Sequence, residues 1–206
     1  MKSKKIKQAA RKRQASLERK TKETQIAVFF NIDGSGKIKV NTGIGFLDHM
    51  LTLLAKHGMF DIEVKAKGDL HVDRHHTNED VAICLGLAFA KALGQKEGIR
   101  RYGFFYLPMG EALARVCLDI SGRPSLFLKA DLKLNQRGEN YKLEDAEHFL
   151  ESFSQQAGIN MHVDVLAGKQ HHHVIEAIFK GFARALDQAC QIDVREKGIP
   201  STKGTL

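Results

Sequence analysis

The spacing of apolar residues alternates along the chain between a period near two and a period near 3.6, and the changes of period mark out its elements. "TQIAVFFNID" (24–33) reads as a strand, "GSG" (34–36) as a turn, and "KIKVNT" (37–42) as the hairpin partner. "FLDHMLTLLAKHG" (46–58) has helical spacing and stops at Gly58, after which "MFDIEVKAKG" (59–68) returns to strand spacing. A strongly apolar helix is predicted from Thr77 to Leu93, and β structure over 101–134, broken by turns at Pro108–Gly110 and Ser121–Pro124. A helix over 143–158, an extended run over 159–168 and a helix near 173–190 follow. In the last, Ile175, Ile178, Phe179, Phe182, Leu186 and Ala189 fall on one face.

This order contains a repeat. "LDHML" (47–51) matches "AEHFL" (146–150), Gly58 and Gly68 bracket a segment as Gly158 and Gly168 do, and "AKAL" (90–93) answers "ARAL" (183–186). A His-His-x-x-Glu run follows the bracketed segment in each copy: "RHHTNED" (74–80) and "QHHHVIEAIFK" (170–180). The inference is a duplicated α/β unit with a pseudo-symmetric pair of sites, the first repeat over 21–97 and the second over 98–206, packed together as one globular unit.

Charge changes the picture only at the N-terminus. The net charge of +8 is carried by residues 1–20, with nine Lys/Arg against one Glu, while residues 21–206 balance 23 basic with 23 acidic side chains. Residues 1–20 therefore read as a flexible basic extension. It has no aromatic residue for stacking on bases and no nucleic-acid module, so no nucleic-acid partner is expected. No apolar run approaches the roughly 18–20 residues of a membrane span, and no hydrophobic leader opens the chain; no membrane partner and a cytoplasmic location are expected. Cys84, Cys117 and Cys190 are odd in number and lie in apolar surroundings, as buried free thiols do.

The repeated histidines suit a divalent transition ion, which takes neutral imidazoles with a carboxylate to offset its charge. His76 and Glu79, at i and i+3, lie on one helical face and can share an ion. His75 is turned about 100° away and should serve another. His172, His173 and Glu176 repeat the split, and His49 and His148, each beside an acid, are the natural further ligands. Six histidines and two glutamates supply two ions with three His and one Glu each. One such histidine would carry little weight; two matched sets carry a dinuclear site. His57, His71, His162 and His171 are unmatched and read as ordinary polar residues. Open coordination positions favour catalysis over storage. Arg101, Arg123, Lys180, Ser201 and Lys203 are residues of the type that hold phosphate.

Taken together, "FLDHML", "HHTNEDVA", "SGRP", "HHVIEAIFK" and "PSTKG" resemble the imidazoleglycerol-phosphate dehydratase family, from about Arg19 to Leu206. The resemblance implies an α+β fold, a two-layer α/β sandwich of ribosomal protein S5 domain 2-like type with internal duplication. It also implies a homo-oligomer, typically of 24 subunits, with two Mn2+ per active site completed between neighbouring subunits. It places His49, His76, Glu79 and His172 on one ion and His75, His148, His173 and Glu176 on the other. Arg101, Arg123, Lys180, Ser201 and Lys203 map onto the substrate-binding phosphate pocket, and Glu23 onto a mobile glutamate that contacts substrate. Glu23, His49, His75, Glu79, His172 and Glu176 are thereby the catalytic set. The implied reaction is removal of water from imidazoleglycerol phosphate, in histidine biosynthesis, to give imidazole acetol phosphate. The expected route runs through a metal-bound imidazolate and a diazafulvene, with Glu23 the acid/base group. The chain departs from the family pattern at Arg74, where an acid is frequent, which would alter the electrostatics beside the ligands, and at Gly110, where Asp is common. The competing chemistry for two ions is hydrolysis by a dinuclear metallohydrolase, a phosphatase or an amidohydrolase.

Overall fold

The computed structural model describes residues 12–132 and 140–206. Residues 1–11 of the basic extension, and the end of the β segment expected over 101–134, lie outside the described residues. The first half runs β1 (Gln14–Lys20), β2 (Thr24–Asn31), β3 (Ile38–Asn41), α1 (Gly45–Gly58), β4 (Asp61–Gly68) and α2 (His75–Leu93). The second runs β5 (Tyr102–Met109), β6 (Ala112–Asp119), β7 (Ser125–Lys129), α3 (Leu143–Ala157), β8 (Asn160–Ala167) and α4 (His171–Cys190). The two sheets have the same topology, β1-β2-β4-β3 and β5-β6-β8-β7, and the same pairing directions, so the fold is a duplicated α+β fold.

Two expectations are corrected. Residues 37–42 do not form a hairpin with 24–33. β3 pairs parallel with β4, Ile38 opposite Ile62, because α1 carries Leu47, Met50, Leu51 and Leu54 on one buried face and has to cross over the sheet to bury them. Nor do residues 14–20 belong to a flexible extension. Residues 14–20 pair antiparallel with β2, so the first repeat begins with β1 rather than at residue 21. Ala15 and Leu17 face the core, and the next inward position, Arg19, forms an ion pair with Asp80 of α2. Two small apolar contacts and a neutralised arginine suffice to hold a strand whose composition reads as a tail.

The repeat is also one residue out of the expected glycine register. Phe30 pairs with Ile62 and Leu118 with Met161, so the β4 and β8 positions differ by the same 99 as His49 and His148. The left-handed residue that ends α1 is accordingly Met59 (φ 57°), and its counterpart after α3 is Gly158 (φ 69°).

α2 lies on β1, β2 and β4, α4 lies on β5 and β6, and the helices then meet crosswise, α1 against α4 and α2 against α3. Each repeat is thus a sheet-and-helix layer, and the two stand back to back with the helices inside. A string of rings crosses this core: Phe30 to Phe89 at 5.6 Å, Phe89 to Phe153 at 5.8 Å and Phe153 to Phe182 at 5.3 Å. Gly86 lets α2 approach α3 closely, since a Cβ there would sit 2.6 Å from the Phe153 carbonyl oxygen. The crosswise packing of helices from different repeats is what assembles the site.

Candidate metal centre

α2 and α4 both begin with the repeated histidines, and each start lies beside the partner helix that carries the matched histidine. α1 brings His49 to His172 and Glu176 of α4, and α3 brings His148 to His75 and Glu79 of α2. In each triad one donor atom per residue can be chosen so that all three lie within 4.8 Å of one another. His49 Nε2 is 3.0 Å and His172 Nε2 2.9 Å from the same Glu176 oxygen, Oε1. In the other triad the rings of His75 and His148 stack at 4.3 Å, and His75 Nε2 is 3.8 Å from Glu79 Oε2. Two imidazoles and a carboxylate converging from two helices form a donor set that fits a divalent transition ion, and each triad leaves coordination positions unfilled.

The resemblance implies Glu79 beside His49 and His172, and Glu176 beside His75 and His148; within this one chain each glutamate instead lies near the other histidine pair. Glu176 joins His49 and His172, and Glu79 joins His75 and His148. Spacing also allows the i, i+3 pairs, but in this structure it is the i, i+4 pairs, His172 with Glu176 and His75 with Glu79, whose donor atoms meet.

His76 and His173 fall outside both triads. Each turns Nδ1 to a carboxylate, His76 to Asp69 Oδ2 at 3.0 Å and His173 to Glu111 Oε2 at 2.6 Å. Glu23, in the β1–β2 turn, comes within 3.9 Å of His76 Nδ1. Asp69 and Glu111 were not singled out from the sequence. Neither lies at ligand spacing from a histidine, and only the placement of β-turns and strand ends over the helix starts reveals them.

The electrostatics follow from these contacts. Burial pushes the Glu176 carboxyl up, but hydrogen bonds from Lys180, His49 and His172 outweigh it and bring it down to about 2. The Glu111 carboxyl is likewise lowered to about 2, first by His173 and then by the Gln170 backbone N–H. The hydrogen bond to Asp69 raises the His76 imidazole and lowers Asp69.

Of the expected phosphate ligands, only Lys180 lies at a triad, with Nζ 2.5 Å from Glu176 Oε2. The rest gather at the other end of α4. Arg101 donates to Asp119 at 2.7 and 3.0 Å and to the Pro200 carbonyl at 2.9 Å, and its backbone N–H reaches the Ala189 carbonyl. It thereby carries the segment with Ser201 and Lys203, whose backbone N–H donates to Ser201 Oγ at 3.2 Å. Arg123 is exposed in the β6–β7 turn, next to Gly122, which packs against the C-terminal Leu206. Thirteen residues of helix separate Glu176 from Ala189, a rise of about 20 Å. Beside the His49 triad is a cavity of about 600 Å³ lined by Gly43, Phe46, Leu70, Arg74, Tyr141 and His172, within the range of small-molecule sites. Among the unmatched histidines, His162 is exposed and stacks on Phe127, whereas His171 is fully buried at the start of α4 rather than at the surface.

Fold and site together define a duplicated α+β protein whose repeats each present a His, His, Glu cluster across a helix pair. The family model described as imidazoleglycerol-phosphate dehydratase matches residues 42–186. Imidazoleglycerol-phosphate dehydratase of Thermoanaerobacter pseudethanolicus is 56% identical over 194 residues, 94% of this chain and 100% of its own. That of Methylobacterium radiotolerans is 52% identical over 195 residues, again 94% and 100%. The crystal structure of imidazoleglycerol-phosphate dehydratase from Staphylococcus aureus superposes with a TM-score of 0.78 at 36% identity, covering 87% of this chain and 99% of that one. The structure of IGPD from Pyrococcus furiosus in complex with (S)-C348 does so with a TM-score of 0.80 at 34% identity, covering 92% and 100%. The chain belongs to the imidazoleglycerol-phosphate dehydratase family, and is an enzyme of the hydro-lyase class.

Proposed function

We propose that the chain removes water from imidazoleglycerol phosphate to give imidazole acetol phosphate, in histidine biosynthesis in the cytoplasm, with two Mn2+ in each active site. The observation that carries this is the pair of triads, His49/His172/Glu176 and His75/Glu79/His148, each converging two imidazoles and a carboxylate on one point. Ions held there would supply Lewis acidity and a template for the substrate's imidazole ring.

The chain's own groups account for the rest. The ring gives up its N–H proton and expels the hydroxyl next to it, the two leaving as water; the resulting diazafulvene loses the neighbouring C–H proton as a ring nitrogen is reprotonated, and the enol so formed tautomerises. Glu23 is the group for that proton transfer: its carboxylate is on an exposed turn, 3.9 Å from His76 Nδ1. Arg123, Ser201 and Lys203 hold the phosphate, and Arg101 positions the C-terminal segment that bears two of them. The rise of about 20 Å along α4 between Glu176 and the residue that Arg101 contacts supports a site in which one substrate molecule takes its metals from one copy of the chain and its phosphate ligands from another. His76 and His173, outside the triads of their own chain, are then available to neighbouring copies. An assembly with shared sites, of 24 subunits as the family resemblance implies, satisfies both requirements. Family membership sets the metallohydrolase reading aside.

The test is to incubate the purified, Mn-loaded protein with imidazoleglycerol phosphate and follow imidazole acetol phosphate. Its formation, lost on chelation and restored by Mn2+, is expected; no product from protein with two bound Mn2+ would overturn the proposal.

A further inference from the structure

We propose that Asp69 and Glu111 are positioning residues, each fixing one of the histidines outside the triads, His76 and His173, so that its Nε2 is aimed at an ion. The inference rests on the dinuclear reading of the site. An ionised carboxylate has no proton to give, so at 3.0 Å from Asp69 Oδ2 and 2.6 Å from Glu111 Oε2 the two Nδ1 atoms are the donors. Each ring is then held as the Nδ1–H tautomer, with Nε2 as its lone-pair nitrogen and its plane set by the carboxylate. Outer carboxylates of this kind orient metal-binding histidines and raise their basicity.

Glu111 is itself held firmly. Its other oxygen, Oε1, accepts from the backbone N–H of Lys169 at 3.1 Å and of Gln170 at 2.7 Å, which locks the β5–β6 turn onto the start of α4. The duplication makes this informative. Glu111 immediately precedes β6 as Glu23 immediately precedes β2, and His173 corresponds to His76. Glu23 and Glu111 are thus the same position in the two repeats, serving different ends. In the first repeat Asp69, just after β4, takes His76 Nδ1, and Glu23 stands off at 3.9 Å. In the second repeat the corresponding place, just after β8, is Gly168, so no acid stands there and the turn glutamate holds the histidine. Asp69 thereby leaves Glu23 to reach substrate, while Glu111 is tied to structure.

The experiment is Mn2+ binding to the full-length chain without substrate, followed by electron paramagnetic resonance, for wild type, Glu111→Ala, Glu111→Gln and Asp69→Ala. Wild type should bind two tight ions per chain. Glu111→Ala and Asp69→Ala should each weaken one site about 10- to 100-fold and leave the other unchanged. Glu111→Gln, which keeps an acceptor for Nδ1–H, should recover part of the loss. Thermal melts read alongside should show folded protein. Two sites as tight as wild type in both alanine variants would overturn the proposal, as would an equal fall at both sites in each variant. A wild type that binds no Mn2+ would overturn the dinuclear reading and this inference with it, an outcome distinguishable from loss of the inference alone.

Discussion

His49 and Glu176 are 127 residues apart in the chain, yet Nε2 of one lies 3.0 Å from Oε1 of the other. Nothing local enforces that contact; it exists because α1 of the first repeat lies against α4 of the second. Removing His49 therefore takes a ligand from one triad without touching the other. His49 is on the exposed side of α1, so the fold should tolerate the change. His49→Ala is expected to lose one of two Mn2+ per chain and to lower kcat by more than about 100-fold, beyond the upper effect of an outer-shell partner. Metal analysis of the dialysed protein, with turnover on the same sample, checks it.

Truncation tests where the fold begins. Arg13 bridges Asp33 and the Cys190 carbonyl, and β1 follows directly. A chain lacking residues 1–11 is expected to retain the stability and turnover of the full chain. One lacking residues 1–20 also loses Ala15, Leu17 and the Arg19 partner of Asp80, leaving a buried carboxylate without its cation, and is expected to be largely insoluble or unfolded. Circular dichroism and size-exclusion chromatography of the two distinguish these outcomes.

Arg74 lies beside the ligand pair, but its guanidinium is engaged elsewhere: Nε donates to Asp145 Oδ2 at 2.8 Å, the oxygen that also accepts the Lys142 backbone N–H at the start of α3. Its role is to join the starts of α2 and α3. Arg74→Ala is expected to cost up to about 1 kcal/mol, as partly exposed pairs do, and so to lower Tm by about 2–4 °C for a chain of this size. Mn2+ affinity should change less than twofold; a tenfold change would return Arg74 to the metal site.

Asp61 gives a pH dependence. Burial pushes its carboxyl up, but the backbone N–H groups of Ser35 at 2.7 Å and Lys37 at 3.0 Å, with the Asn31 and Ser35 side chains, outweigh burial and lower it. A carboxyl lowered by folding adds stability above its unfolded value, about 3.9, and that contribution is lost as pH falls through the folded value below it. Tm measured without metal should decline below about pH 4, and Asp61→Asn should melt lower at pH 7 with a shallower acid limb. Identical acid limbs would assign the linkage to other carboxylates.

What was legible in the sequence was whatever local spacing determines. The amphipathic pattern of α4 and the matched His49 and His148 pointed to the duplication, the helices and the residues that cluster in the two triads. What was not legible depended on partners distant in the chain. β1 is hidden because the charge of Arg19 is neutralised by Asp80, a residue 61 positions on. β3 is misassigned because its neighbour is chosen by the crossover of α1. Which histidine each glutamate meets within the chain was hidden, because spacing on a wheel cannot say whether i+3 or i+4 faces a side chain on another helix. Asp69 and Glu111 give no signal at all until strand ends are set above helix starts.

The separation of about 20 Å along α4 between Glu176 and the Arg101 group has one more consequence. If the metals and the phosphate ligands that act on one molecule come from different copies, a defect in either belongs to a subunit and not to a site. Chains carrying His172→Ala and chains carrying Lys203→Ala would each be inactive alone. Unfolded together and reassembled, they would form some sites in which the sound half of one meets the sound half of the other, and activity would return to a mixture of two dead proteins.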